Sequence, residues 1–336
     1  MPLILTAGTD DSGRRLDRIL RKALRQTPLS AIHRMLRQGL VLVGGCKANA
    51  GRRVLSGETI TVFHNEAEAE REAPVTEPAG FGTNVNSLNT IPEILFEGSG
   101  LLILNKPAGL SVHGRESLDS MVQSYLAPKL PPSLSFRPGP LHRLDKPSSG
   151  VLAFSASLEG ARFFSGMMRG GMIKKEYLAI VEGKIEKAET WKDGLYRDTK
   201  IKKTFTENQV GNNPEQLEGK NAVTGINPLI TNKACSLVLF RIETGRTHQI
   251  RAQAASRGHP LLGDRKYGAS YFSGGFLLHA WHLYLPPPFP PMIEAPIPEN
   301  FRNTVKKLFG TDIQIQHILM NLPQTTLTIT NKNQNK

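Results

Sequence analysis

The chain is 336 residues long, enough for two or three domains, and it carries a formal net charge of +13. That excess of Lys and Arg favours a polyanionic partner such as a nucleic acid. Two cysteines argue against a disulfide framework or a thiolate zinc site, and no apolar run approaches the ~18 residues of a membrane helix. The N-terminus shows no signal-peptide pattern, so we expect a cytoplasmic protein.

The first 63 residues are predicted to form a small basic unit. Leu16, Ile19 and Leu20 recur at helical spacing, and a second helix is expected from Ser30, as its N-cap, to Gly39. Eleven Lys and Arg residues stand against four Asp and Glu residues, which gives this unit +7 of the total charge. Charged faces are often merely solvated, but this order of elements resembles the alpha-L RNA-binding domain found in ribosomal small-subunit protein four. The resemblance implies a set of phosphate contacts: Arg15, Arg18, Lys22, Arg34 and Arg37.

The rest of the chain divides into three parts by composition. Residues 64–92 are rich in Glu, Ala, Pro and Asn, which predicts an acidic flexible linker. Residues 93–310 mix many strand patterns with a few helix patterns, without regular alternation, which predicts an α+β domain. One of its helices is expected to start at Ser157, with Phe164 and Met168 facing inward. Residues 311–336, rich in Asn, Gln and Thr, are expected to form a frayed tail.

A stiff loop in front of a strand is the most informative stretch of the large domain. Residues 140–150 read PLHRLDKPSSG and lead into an apolar run at 151–154, which is typical of a turn before a buried strand. Asp145 lies in this loop among basic neighbours, and their charge favours the ionised carboxylate. A lone Asp in such a turn is usually a surface residue in an ion pair. The whole string, however, resembles the catalytic motif of the RluA family of pseudouridine synthases.

Further strings occur in the order that this family shows. They are NKPAGLSVHG at 105–114, KKEY at 174–177, GRTHQIR at 245–251, HPLLGDRKYG at 259–268 and LLHA at 277–280. Ser148, Ser157 and Gln253 stand where Thr, Lys and His are usual, which bears on substrate positioning rather than on the reaction. The resemblance implies a mixed, largely antiparallel β-sheet in a catalytic domain of pseudouridine synthase type, beside the small N-terminal α/β RNA-binding domain.

The resemblance also implies roles for three residues. The reaction cuts the C–N glycosidic bond of a uridine and rejoins the base through C5, so neither a cofactor nor a metal is expected. Asp145 would either attack covalently or take the proton at C2′, and both routes stay open. Tyr177 would stack on the flipped base, and Arg251 would pair with Asp145 and lower its pKa. Without the family match, Tyr177 would be interpreted as a core aromatic and Arg251 as a solvated helix residue.

Several basic residues of the large domain are expected to contact RNA or to support loops near the site. They are Lys106, His142, Arg143, Lys174, Lys175, Arg246 and His248. We therefore expect a monomeric RNA pseudouridine synthase that uses no membrane and acts on structured RNA, with large-subunit ribosomal RNA as the preferred substrate. A transfer-RNA uridine is an alternative substrate, and a non-catalytic RNA-binding factor of ribosome assembly is an alternative of another class. The presence of Asp145, Tyr177 and Arg251 together favours the enzyme.

Overall fold

A computed structural model describes residues 1–63, 90–114, 116–209 and 219–310. The predicted tail at 311–336 and almost all of the predicted linker at 64–92 lie outside these ranges. The chain forms two compact units. Among the described residues, unit 1 comprises those within 1–146, 151–173 and 284–293, and unit 2 comprises those within 147–150, 174–283 and 294–310. No helix within the described ranges is long and apolar enough to cross a membrane.

Six helices and fifteen strands are named here in chain order. The helices are α1 Leu16–Ala23, α2 Leu29–Gln38, α3 Leu118–Leu126, α4 Leu158–Arg169, α5 Gln249–Ser256 and α6 Glu299–Phe309. The strands are β1 Leu3–Thr6, β2 Val41–Val43, β3 Cys46–Lys47, β4 Thr59–Val62, β5 Ile94–Gly98, β6 Leu101–Lys106, β7 Gly139–Pro140, β8 Ser149–Ser155, β9 Lys174–Glu182, β10 Glu189–Asp198, β11 Lys203–Thr206, β12 Lys220–Thr231, β13 Cys235–Ile242, β14 Leu278–Tyr284 and β15 Met292–Glu294.

The N-terminal part of unit 1 has its own sheet, in the order β1-β4-β2-β3, with antiparallel pairing throughout. The predicted apolar face of α1 is confirmed, because Leu16, Ile19 and Leu20 are fully buried in the core of this part. The N-cap of α2 is Pro28, two residues before the predicted Ser30, and the helix ends at the predicted Gly39 in the left-handed conformation. The fixed φ of proline suits a helix start, which explains the small shift.

Asp11 ties this N-terminal part to residues 133–135 within the same unit. Its fully buried carboxylate accepts hydrogen bonds from the backbone N of Leu134 at 2.8 Å and of Ser135 at 2.9 Å, and from the hydroxyls of Ser133 and Ser135. Burial acts to raise the pKa of Asp11, but these hydrogen bonds hold it below its ordinary value. Leu134 packs against the N-terminal core. Residues 1–63 therefore share one compact unit with the loops around them.

The remaining strands of unit 1 run in the order β5-β6-β8, and β7 pairs with β8. Unit 2 contains the order β11-β10-β12-β13-β9-β14, with antiparallel pairing from β11 through β9. Residues 149 and 150, at the start of β8, pair in parallel with β14 inside unit 2. Trp281 and Phe301 are among the residues that fill a core beside β9, β13 and α6. The predicted α+β class with a largely antiparallel sheet is confirmed.

Candidate active site

Contacts within unit 1 fix the loop of Asp145 to the strand that follows it. The backbone N of Leu141 donates to O of Ala153 at 2.8 Å, and N of Ala153 donates in return to Nε2 of His142 at 3.1 Å. The His142 ring also stacks on Phe164, with the ring centroids 6.1 Å apart. Asp145 is half-buried at the end of this fixed stretch. Of the two roles expected for His142, the contacts support that of holding the loop.

Lys106 lies under the same loop, and its contacts support the role of holding that loop, while its expected contact with RNA stays a prediction. The residue is fully buried, and Nζ donates to O of Pro107 at 2.9 Å and to O of Lys146 at 3.2 Å. Burial lowers the pKa of Lys106 to about 8, while the negative charge of Asp145 acts in the opposite direction. Lys106 thus fixes the backbone one residue after Asp145 and places a positive charge near that carboxylate.

Contacts within unit 2 fix the far end of the loop. Gly150 has a φ of 106°, and a Cβ atom there would lie 2.0 Å from O of Ala280, so glycine is required. Oγ of Ser149 lies 2.9 Å from Nδ1 of the buried His279, and Nε2 of that ring lies 3.1 Å from O of Ala295. Because a carbonyl oxygen only accepts, Nε2 carries the proton and Ser149 donates to Nδ1. Burial lowers the pKa of His279 to about 4, which keeps the ring neutral near pH 7.

Tyr177 lies on β9 in a firmly held part of unit 2. It is buried and pairs with Phe240 of β13. The preceding residue, Glu176, points to the other face of the strand, where it accepts hydrogen bonds from Nε of Arg241 at 2.6 Å and from Nδ1 of His282 at 2.8 Å. Burial acts to raise the pKa of Glu176, but these two donors hold it below its ordinary value. The strand therefore gives Tyr177 a rigid support, and its role as a stacking platform stays a prediction.

Arg251 is a buried residue of α5 with a carboxylate partner that the sequence analysis did not assign. Its Nε and Nη2 donate to the two carboxylate oxygens of Asp264, at 2.6 and 2.9 Å. The guanidinium carbon also lies 4.9 Å from the ring centroid of Tyr267 and 4.4 Å from that of Phe276. Arg251 is therefore a buried charge held in one orientation, and the alternative interpretation of a solvated helix arginine is wrong. The pairing of Arg251 with Asp145 stays a prediction.

Tyr267 connects this arginine to His248, another predicted site residue. The Tyr267 hydroxyl accepts a hydrogen bond from N of Thr204 at 3.0 Å and lies 2.9 Å from Nδ1 of His248. Because the hydroxyl already accepts from Thr204, its own proton is available for His248. His248 has a φ of 55°, a left-handed conformation that non-glycine residues seldom adopt and that is over-represented at functional sites. Asp264 and Tyr267 both belong to HPLLGDRKYG, which was noted without a role for either.

The other predicted RNA contacts differ in their exposure. An exposed set fits the expected surface position: Arg15, Arg18, Lys22, Arg34, Arg37, Arg143, Lys174 and Arg246. Lys175 is an exception, because it is buried. Lys174 and Lys175 therefore differ in environment, since alternate residues of a strand point to opposite faces, and their contacts with RNA stay predictions.

Comparisons with known proteins extend these observations over most of the chain. Residues 100–256 match the family described as RNA pseudouridylate synthase. Ribosomal large subunit pseudouridine synthase D of Nitrosomonas europaea is 31% identical, over 88% of this chain and 85% of the relative. Ribosomal large subunit pseudouridine synthase C of Escherichia coli is 30% identical, over 91% of this chain and 96% of the relative.

Solved structures support the fold independently. Human RNA Pseudouridylate Synthase Domain Containing 1 superposes with a TM-score of 0.53 at 23% identity, covering 71% of this chain and 98% of the human one. Human RNA Pseudouridylate Synthase Domain Containing 4 gives a TM-score of 0.52 at 24% identity, covering 64% of this chain and 92% of the human one. At these identities the likeness concerns the fold.

Proposed function

Because this chain belongs to the RNA pseudouridylate synthase family, and is therefore an isomerase that makes pseudouridine, we propose that it acts on large-subunit ribosomal RNA with Asp145 at the reacting sugar. The observation that carries the proposal is PLHRLDKPSSG, which lies inside the matched span and is held at both ends. The relatives whose names specify ribosomal large-subunit RNA align with more than four-fifths of the chain.

Pseudouridine formation requires an ionised carboxylate at the junction of sugar and base. The base must leave C1′, rotate and return through C5, so a carboxylate either bonds to the sugar or removes the proton at C2′. Lys106 places a positive charge near Asp145, and the negative charge of Asp145 acts to raise the pKa of Lys106. Its hydrogen bond to the carbonyl of Lys146 also limits movement of the loop, which favours a fixed attack geometry.

Tyr177 and Arg251 complete the proposed site. A target base stacked in folded RNA must be flipped out at a cost on the order of a few kcal/mol. Stacking on the Tyr177 ring would return roughly 1–3 kcal/mol of that cost. Arg251, oriented by Asp264, is proposed to hold a negative charge in the site, with Asp145 as its predicted partner.

The N-terminal part is proposed to be an alpha-L-type RNA-binding domain. Its basic side chains Arg18, Lys22 and Arg34 are exposed, which leaves them accessible to RNA phosphates. We further propose that the protein is a cytoplasmic monomer, in keeping with ribosomal RNA as substrate. A transfer-RNA uridine is the second candidate substrate, and mapping of pseudouridines in RNA from cells that lack this protein distinguishes the two.

The test of catalysis is Asp145→Asn, which removes the negative charge and keeps the shape. The variant should bind RNA and remain folded but form no pseudouridine at the mapped uridine. Glu186→Gln is the matched control, because Glu186 is exposed and pairs only at the surface with Lys184. Substantial product from purified Asp145→Asn would falsify the catalytic assignment. If Asp145→Asn restores every defect of cells that lack the protein, the alternative of a non-catalytic assembly factor is favoured.

A further inference from the structure

Lys175 is a buried cation without a counter-charge in the described part of the chain. The residue is 7% exposed, and among the residues that the structure describes its ammonium makes no hydrogen bond or ion pair. Burying a charge without a partner is costly, so lysines are seldom found in such places. The neighbouring Lys174 is exposed. The two adjacent lysines, equal in charge, thus differ sharply in environment.

Among the described residues, the charged groups beside Lys175 on β9 and in the loop after β13 form no ion pair with it. Glu176 lies on the opposite face of β9, where Arg241 and His282 bind it. In the loop after β13, Glu243 is exposed, and Nε of Arg246 donates to a backbone carbonyl at 3.1 Å. None of these groups compensates Lys175, and burial alone lowers its pKa to about 8.

The position of Lys175 on β9 relates it directly to Tyr177. Residues two apart on a strand share a face and lie about 6.6 Å apart along it, so the ammonium and the phenol ring are neighbours on one side. The cross-strand partners on β13 are Ile242 for Lys175 and Phe240 for Tyr177, both apolar. Gly245 adds no side chain here, and a Cβ atom on it would lie 3.5 Å from Nζ of Lys175. The amine therefore borders a glycine and apolar side chains.

We propose that Lys175 is the receptor for a phosphodiester oxygen of the RNA strand whose target base stacks on Tyr177. The inference rests on the proposed function and adds to it the chemical class of the group bound. An anion arriving at this largely buried ammonium supplies a counter-charge at short range, where screening by water is weak. Lys174, on the other face and in contact with solvent, would make at most a screened contact with RNA.

Protonation of Lys175 must then be coupled to RNA binding. With a free pKa of about 8 and a higher value once the phosphate is bound, binding takes up a proton above pH 8. The affinity should therefore fall about tenfold between pH 7 and pH 9, since one proton is linked to binding over that range. Lys106 has a pKa of about 8 as well, but it is retained in every variant, so comparison between variants isolates Lys175.

The experiment measures the Kd of a large-subunit ribosomal RNA transcript that contains the mapped uridine, at pH 7 and pH 9 and over a range of salt. An Asp145→Asn background prevents turnover. Adding Lys175→Met should weaken binding at pH 7, remove the tenfold pH effect, and lower the salt slope by roughly 0.7–0.9, the share of one phosphate. Adding Lys174→Met should leave the pH effect intact. Adding Lys175→Arg should keep the salt slope and remove the pH effect, because guanidinium stays charged at pH 9.

The outcomes separate this inference from the proposed function. Lys175→Met should unfold at a higher temperature than its parent, since it removes a buried unpaired charge, so weaker binding cannot come from misfolding. If Lys175→Met and its parent bind alike at both pH values, the inference is overturned. Weaker binding with an unchanged salt slope would assign Lys175 to a neutral base edge and would also overturn it. If the unmodified enzyme makes no pseudouridine in any ribosomal RNA, the proposed function fails instead.

Discussion

Replacement of His279 by Gln should remove a defined share of the acid sensitivity of unit 2. The imidazole is fully buried between Ser149 and Ala295, and its pKa is about 4 instead of the ordinary 6.5. Between these values the unfolded chain binds a proton that the folded chain does not. Stability is therefore complete above pH 6.5 and falls as the pH drops toward 4. A Gln amide can donate and accept as the neutral ring does, but it does not titrate in this range.

The size of the effect follows from the two pKa values. They differ by about 2.5, and each pKa unit corresponds to about 1.36 kcal/mol, so the full contribution of His279 is about 3 kcal/mol. At pH 5 about 2 kcal/mol of this has been lost, before most carboxylates begin to titrate. Protonation of Nδ1 would also prevent it from accepting the hydrogen bond of Ser149. The loop at 140–150 would then lose the hydrogen bond that holds Ser149 to His279 of β14.

Urea unfolding at pH 8 and pH 5, followed by tryptophan fluorescence, measures this difference. Both tryptophans, Trp191 and Trp281, lie in unit 2 together with His279, so the signal reports the relevant unit. Wild-type protein should lose about 2 kcal/mol more between the two pH values than His279→Gln does. His113→Gln is the matched control, because the His113 side chain is 68% exposed. Equal losses in wild type and His279→Gln would refute a neutral buried imidazole as the origin.

Two further predictions concern buried carboxylates. Asp264→Asn should leave the Arg251 guanidinium without its bidentate partner and lower the free energy of unfolding by about 3–5 kcal/mol. The kcat should fall as well, and a wild-type kcat would show that Asp264 does not orient Arg251. Asp11→Ala should weaken the attachment of residues 1–63 by on the order of 3 kcal/mol, which limited proteolysis would detect as early release of that fragment. Asp17→Ala is the control, because the contacts it loses, an ion pair with Arg15 and a hydrogen bond from N of Arg18, lie within residues 1–63. Equal protease resistance of the two variants would contradict the prediction.

Local patterns predicted the elements well where one periodicity dominates. Ser157 caps α4 as expected, accepting a hydrogen bond from N of Gly160 at 2.9 Å. Phe164 is buried as predicted, but Met167 rather than Met168 faces the core, because helical spacing leaves a one-residue ambiguity at the edge of an apolar face. The apolar string at 151–154 became the buried strand β8.

Tertiary contacts decided the residues that sequence reasoning misplaced. Lys106 and Lys175 belong to a residue type that is rarely buried, so no pattern in the sequence indicated their burial. Asp264 is thirteen positions from Arg251, and no local rule joins them. Gln253, noted only as a departure from the family pattern, accepts from Thr224 at 2.6 Å and donates to Asp193 at 2.6 Å in the interior. Its amide thus forms hydrogen bonds that join α5 to the neighbouring strands β10 and β12.

The attachment made by Asp11 affects how residues 1–63, the proposed RNA-binding part, would bind RNA. A part tethered only by residues 64–89 would meet RNA at an effective concentration set by the length of that tether. A part held through Asp11 and Leu134 has already lost that freedom during folding, so RNA binding need not pay for it again. The RNA must then match one fixed arrangement of contacts within unit 1. Recognition would be governed by the three-dimensional shape of the folded RNA, and a flexible single strand would lose affinity even if it carried the same uridine.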